Sequence, residues 1–248
     1  MSNNTKLTIL GHIAEIRQRL LKSAIAIVIT TILSFVFARY IFQVLTLPVK
    51  GYPLIFIEMT EMIGTYMRVC LITGIILAMP YLVYQFFMFV APALSSKEKR
   101  YVYLIVPWVA LMFLGGVVFS YFILIPPAAR FLFTFGSDIA TPQIKIGNYV
   151  SIVARLLLAV GLIFELPVIT TFLARLGVIT SRWLANKRKG AFIIAFILSA
   201  MITPTVDPVN QCLVAVPLIV LYEMSIWLAR IFQKRATDVI APASSPVS

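Results

Sequence analysis

Six apolar runs, at roughly 23–46, 69–91, 102–125, 150–174, 190–204 and 211–229, leave this chain few folds to choose from. A hydrocarbon layer about 30 Å thick needs about 20 apolar residues of helix to cross it. The first four runs meet that length. The fifth has only about 15 residues, or ~22 Å of helix, and the sixth is interrupted by Pro217 and carries Glu223. The chain is 61% hydrophobic and 12% charged, a balance that no soluble domain of 248 residues carries. The reading is an all-α integral membrane protein of six transmembrane helices. Short fifth and sixth spans imply a curved, concave bundle with the bilayer thinned beside them. A single membrane domain covers 1–235, and the small polar tail 236–248 reads as disordered.

A net charge of +12 raises the question of nucleic acid. The basic residues instead sit in short segments between apolar runs, so they read as topology determinants. Lys6, Arg17, Arg19 and Lys22 precede the first run; Lys97, Lys99 and Arg100 follow the second. Arg175, Arg182, Lys187, Arg188 and Lys189 follow the fourth; Arg230, Lys234 and Arg235 follow the sixth. The other side keeps only Arg39, Lys50, Arg68, Arg130, Lys145 and Arg155. The asymmetry places both termini in the cytoplasm. The outer segments 47–68 and 126–149 are the long ones, and IFIEMTEMIGTYM in the first has the makings of a short interfacial helix. Cys70 and Cys212 read as small buried hydrophobes rather than a disulfide. No Walker loop, HExxH, GxSxG or metal-ligand cluster is present, so neither a cofactor nor a catalytic constellation is indicated.

Polar residues carry the rest of the information. Glu165 lies inside LLLAVGLIFELPVITTFL, where a carboxylate is costly and faces a bundle interior or a cavity. Arg155 is ten residues away, ~15 Å along a helix, too far for a direct pair. Glu165 has several readings: it satisfies backbone freed near Pro167, bonds Thr203 or Gln211 on other helices, docks a polar residue of a partner helix, or holds a proton. GHIAEIRQRLLKS reads as an amphipathic surface helix with Ile13, Ile16, Leu20 and Leu21 on one face. Arg17 falls among those apolar residues, and Glu15 is an acid where anionic headgroups would repel it. Ser95 or Ser96 caps a helix beginning near Lys97, with Glu98 in its first turn. Glu15 and Glu98, two acids in basic surroundings, suit a cationic ligand held by paired carboxylates.

Four segments, in order, resemble a known family. HIAEIRQRL (12–20) is similar to the HLxELRxRL signature of the TatC family, the receptor component of twin-arginine protein translocases. MPYLVYQFFMFVAPALSSKEKR (79–100) resembles that family's second span and first cytoplasmic loop. GLIFELPV (161–168) resembles its fourth-span motif, and ITPTVDPVNQ (202–211) its turn between spans five and six. The resemblance implies a non-enzymatic receptor in an energy-transducing membrane. Such a receptor binds Arg-Arg signal peptides of folded cargo, self-associates, and recruits TatA- and TatB-family single-span subunits for protonmotive-force-driven export. Carried over by position, Glu15, Arg17, Arg19, Phe89, Lys97, Glu98 and Arg100 form the signal-peptide patch. Glu165, Met201, Thr203 and Gln211 form an intramembrane polar, partner-docking set, and Pro48 and Asp207 serve the outer loops. Here TPTVDP stands where TPPD is commoner, and Ile replaces Leu at 13 and 16.

Two other classes compete. A secondary transporter or channel would use Glu165 as a proton or ion site, but no internal repeat supports one. A membrane-embedded enzyme would need a catalytic group that the chain does not display.

Overall fold

The computed structural model describes residues 2–90, 96–135, 137–139, 142–203 and 207–233, and the side chains of 14–89, 105–135, 137–139, 142–203 and 207–233. The expected tail 236–248 lies outside them. The first helix, α1 (Ser2–Val36), runs without a break through the segment expected to be a separate surface helix. No Gly or Pro stands between Gly11 and Pro48, so nothing interrupts the helix where the span was expected to begin at 23. The break comes later, at Phe37 (φ −99°, ψ 7°), and splits the first apolar run into α1 and α2 (Ala38–Thr46). Thr30 and Ser34 donate to the carbonyls of Ala26 and Thr30 at 2.9 and 2.8 Å, back-bonds that bend helices ahead of that break.

Strand β1 (Leu54–Ile55) pairs in parallel with β2 (Ile144–Lys145) and ties the two outer segments together. The interfacial helix expected over 55–67 does not form as a unit. Its second half is the opening of α3 (Glu61–Val90), because the Glu61 N–H bonds Glu58 O at 3.1 Å and the Glu61 carboxylate accepts from Ile57 N at 3.0 Å. Helix α4 (Ser96–Phe119) begins where the serine pair was expected to start it. It passes through a π-helical turn (Ser120–Leu124) into α5 (Ile125–Thr134). Pro126 and Pro127 cannot donate to carbonyls one turn back, and the π turn absorbs the change of register. Half of the long loop expected over 126–149 is therefore helix.

Helix α6 (Ile146–Phe164) gives way to α7 (Leu166–Arg175) at Glu165, where Pro167 lacks the N–H needed to continue the ladder. Gly177 (φ +77°) ends α7: Gly177 N–H bonds Ala174 O and Val178 N–H bonds Leu173 O, a Schellman closure that a left-handed glycine allows. Then come α8 (Ser181–Asn186), α9 (Arg188–Ile202) and α10 (Pro208–Phe232). At 15 residues α9 is short, as expected. The sixth helix is not: α10 has 25 residues and overruns its apolar run at both ends. Asp207 caps its start, accepting from Asn210 N at 2.7 Å, and Pro217 removes only one ladder bond. Five helical segments are long and apolar enough to cross a membrane (Ala14–Val36, Glu61–Phe89, Ile105–Thr134, Ile146–Arg175 and Pro208–Phe232), and α9 is the sixth, shorter crossing.

Helix α1 leans on α3, α3 on α4 and α6, α4 on α6, α7 on α10, and α10 on α9. The main core lies among α2, α3, α5, α6, α9 and α10. At two crossings only glycine fits. A Cβ on Gly74 would stand 2.7 Å from Thr31 Cα, and one on Gly161 2.7 Å from the Phe113 ring. Cys70 is buried, but Cys212 is exposed on the bundle surface; the thiols are unlinked, and only the first is a core residue. Six crossings put residues 14 and 233 at one end, called here the basic end. The opposite end, closed by the strand pair and α5, is called the capped end.

Candidate functional site

Two polar constellations stand apart from the core. The first is at the basic end, where α1 meets α3. Glu15 Oε1 accepts from Arg19 Nε at 3.0 Å and from Arg19 Nη2 at 2.5 Å, a pair one helical turn apart. Arg19 Nη1 also donates to Gln85 Oε1 at 3.4 Å, and Gln85 Nε2 donates to Tyr81 Oη at 2.6 Å. Gln85 is buried, and this chain of bonds carries the polar groups of α1 into the face of α3. Sequence reasoning passed over Gln85 and Tyr81. The available signal was an amide inside an apolar run with a tyrosine hydroxyl four residues before it, a spacing that brings two polar groups together on one helix face.

Arg17 is exposed rather than packed against the bundle, and Phe89 is half-buried one turn beyond Gln85. Glu98 stands in the opening of α4, and both α4 and the Glu15-bearing α1 pack against α3. The side chains of Lys97, Glu98 and Arg100 lie outside the described residues.

The second constellation surrounds Glu165. The backbone of Glu165 itself is satisfied at the break: its N–H bonds Leu162 O at 3.2 Å, and its O accepts from Val168 N at 3.0 Å and Ile169 N at 2.9 Å. Its side chain is 6% exposed and points at a cleft of about 250 Å3 lined by Met79, Leu82, Val83, Phe86 and Phe87 of α3 and Ile169 of α7. Oε1 has no hydrogen-bond partner among the described residues. A buried polar atom without a partner is rare and costly. The cleft is apolar except for this carboxyl, and Glu165 lies ~28 Å from Ile146 at 1.5 Å per residue, a little past the middle of the Ile146–Arg175 span toward the basic end.

The other members of the expected intramembrane set do not join it. Thr203 is buried and donates to Ser199 O at 2.8 Å. It sits level with Ile152 and Leu156, nine or more residues of helix from Glu165. Gln211 donates to Phe196 O at 3.1 Å and borders a separate shallow groove on α9 with Phe192, Ile193, Phe196, Ile197 and Ala200. Met201 is 69% exposed on that helix. Asp207 is the cap of α10, and Pro48 lies in a 3-10 turn (Leu47–Val49) at the capped end.

At that end, polar groups are tied to one another. Gly147 N donates to Glu61 Oε1 at 3.3 Å, Lys145 pairs with Glu58 at 3.6 Å, and Tyr149 Oη donates to Leu45 O at 2.7 Å. Tyr52 stacks on Phe133 with ring centroids 4.0 Å apart.

Residues 11–217 match the family described as Sec-independent protein translocase protein (TatC). The chain is 38% identical to the TatC protein of Carboxydothermus hydrogenoformans over 231 residues, 92% of this chain and 95% of that one. It is likewise 38% identical to TatC of Aquifex aeolicus over 234 residues, 92% and 97% of the two chains. A crystal structure titled as the twin-arginine translocase receptor TatC superposes with a TM-score of 0.80 at 38% identity, covering 89% of this chain and 99% of that one.

Proposed function

The chain belongs to the TatC family of Sec-independent protein translocase proteins, and on that premise we propose that it is the receptor subunit of a twin-arginine protein translocase. The basic end faces the cytoplasm, as the Lys and Arg distribution requires. There Glu15, with Glu98, takes the Arg pair of a signal peptide. The observation that supports this most is the Glu15–Arg19 pair. A carboxylate on this surface already holds a guanidinium through two donors. A planar guanidinium offers five donors in a fixed fork, and an ammonium cannot reproduce that fit. The pair is partly exposed and only one turn long, so it contributes little on its own and exchanges for an incoming arginine at low cost.

Glu165 serves the next step. Its cleft is apolar, and a single transmembrane helix of a TatA- or TatB-type partner, laid along α3 and α7, would offer one polar side chain to the carboxyl. Hydrogen bonds between helices in lipid contribute only about 0.6–2 kcal/mol each, so such docking is reversible. The chain carries no nucleotide-binding loop, and the work of transport then falls to the protonmotive force and the recruited subunits. The test is photo-crosslinking to a signal peptide from probes at residues 15 and 89. Crosslinks to an Arg-Arg peptide that disappear with Lys-Lys are expected, and equal crosslinks to both peptides would overturn the reading.

A further inference from the structure

Neither constellation uses Arg68 or Arg155. Arg68 on α3 and Arg155 on α6 are both exposed, on helices that pack against each other. Arg68 Nη1 reaches across to α6, donating to Ser151 Oγ and, at 3.4 Å, to Gly147 O. Ser151 and Arg155 are one turn apart on that helix, which puts the two Cβ atoms about 5–6 Å from each other. The tip of Arg68 therefore lies one turn from the base of Arg155.

Both helices start at the capped end and run the same way. Arg68 is seven residues into α3 and Arg155 nine residues into α6, depths of ~10 and ~13 Å. Side chains on a helix tilt toward its N-terminus, so both guanidiniums lean back toward the capped surface. Around them the surface is apolar and exposed: Ile63, Met67 and Leu71 on α3, Leu162 on α6. Arginines on such a face place their charge at the level of the headgroups while their stems lie along the acyl chains.

Among the described residues neither arginine makes an ion pair. The two acids closest in the sequence of this end are engaged elsewhere, Glu58 with Lys145, and Glu61 with the amides of Ile57 and Gly147. A lipid-facing double positive charge, at headgroup depth and without an ion-pair partner among the described residues, is complementary to a single lipid phosphate bearing net negative charge. We propose that Arg68 and Arg155 together bind the phosphate of an anionic phospholipid in the leaflet at the capped end. The lipid would bridge α3 and α6 beside the strand pair and add to the closure of that end. This site is independent of the signal-peptide reading, because it shares no residue with it.

The test uses the full chain purified in detergent and titrated with phosphatidylglycerol, with bound lipid counted by native mass spectrometry. One tightly retained phosphatidylglycerol is expected. Arg155→Gln should lower its apparent affinity about tenfold by removing one charge-assisted contact. Arg155→Lys should keep part of it, and Arg130→Gln, an exposed arginine of α5, should leave it unchanged. Arg155 makes no intramolecular bond among the described residues, so its replacement tests binding without threatening the fold. Retention unaltered in Arg155→Gln would overturn the proposal. Equal retention of phosphatidylcholine by the unaltered protein would overturn the anionic preference, and equal stabilisation by inorganic phosphate would reduce the site to a general anion patch.

Discussion

At the capped end, Glu61 accepts from two backbone amides that belong to different segments, Lys145 pairs with Glu58, and Tyr149 and Tyr121 donate to carbonyls of α2. In the half toward the basic end, Glu165 leaves an oxygen without a partner at a cleft, and Glu15 holds an arginine through a partly exposed pair. Both ends spend polar residues, but differently. At one end they close loops over a fixed scaffold. At the other they present groups whose present partners are absent or exchangeable. A polar group that is satisfied internally rigidifies; one that is not is available to a ligand or another helix.

The comparison predicts unequal costs of mutation. The largest belong to the glycine crossings that hold the helices at their spacing. Gly161→Leu must displace the Phe113 ring, and Gly74→Leu must displace backbone of α1. Each should destabilise by about 2–3 kcal/mol, the usual scale of overpacking, seen as a lowered thermal midpoint in detergent. Unchanged midpoints would mean the helices are not packed as closely as described.

Next comes Glu61→Ala, which strands the amides of Ile57 and Gly147. A lowered thermal midpoint is expected, with earlier proteolysis in segments 50–60 and 142–145. The parallel change at the basic end, Gln85→Ala, should cost less in stability but alter signal-peptide binding through Arg19. If Gln85→Ala costs more than Glu61→Ala, the division between the two ends fails. Asp207→Ala removes the α10 cap and should cost about 1 kcal/mol.

Glu165 gives the smallest stability effect and the largest functional one. Removing an oxygen that has no partner costs little. Glu165→Ala should therefore lower stability less than Glu61→Ala does, while partner recruitment and export fall and signal-peptide binding survives. Glu165→Gln should be milder. Equal loss in Ala and Gln would favour proton transfer at this residue over docking.

Much of this arrangement could be read from residues alone, and the failures share a cause. Apolar runs located the crossings because lipid permits little else. Helix ends were misjudged wherever a cap, a carboxylate or a π turn carried a helix past its apolar run, as at Asp207, Glu61 and Pro126. The sequence placed Glu165 inside a span, but its cleft is made by α3, far away in the chain. The grouping of Glu165 with Thr203 and Gln211 failed on depth, which linear order does not encode across helices. Gln85 was invisible because its importance lies in an arginine 66 residues away.

The central claim is that carboxylates at the basic end hold a guanidinium pair. Its most direct measurement is the affinity of the purified receptor for an Arg-Arg signal peptide with Glu15→Gln, Glu98→Gln and both. The account predicts a loss of about 1–3 kcal/mol for each single change, as expected for charge-assisted hydrogen bonds, with the Lys-Lys peptide bound no better by wild type than by the double variant. An Arg-Arg peptide that binds the double variant as tightly as wild type would contradict it.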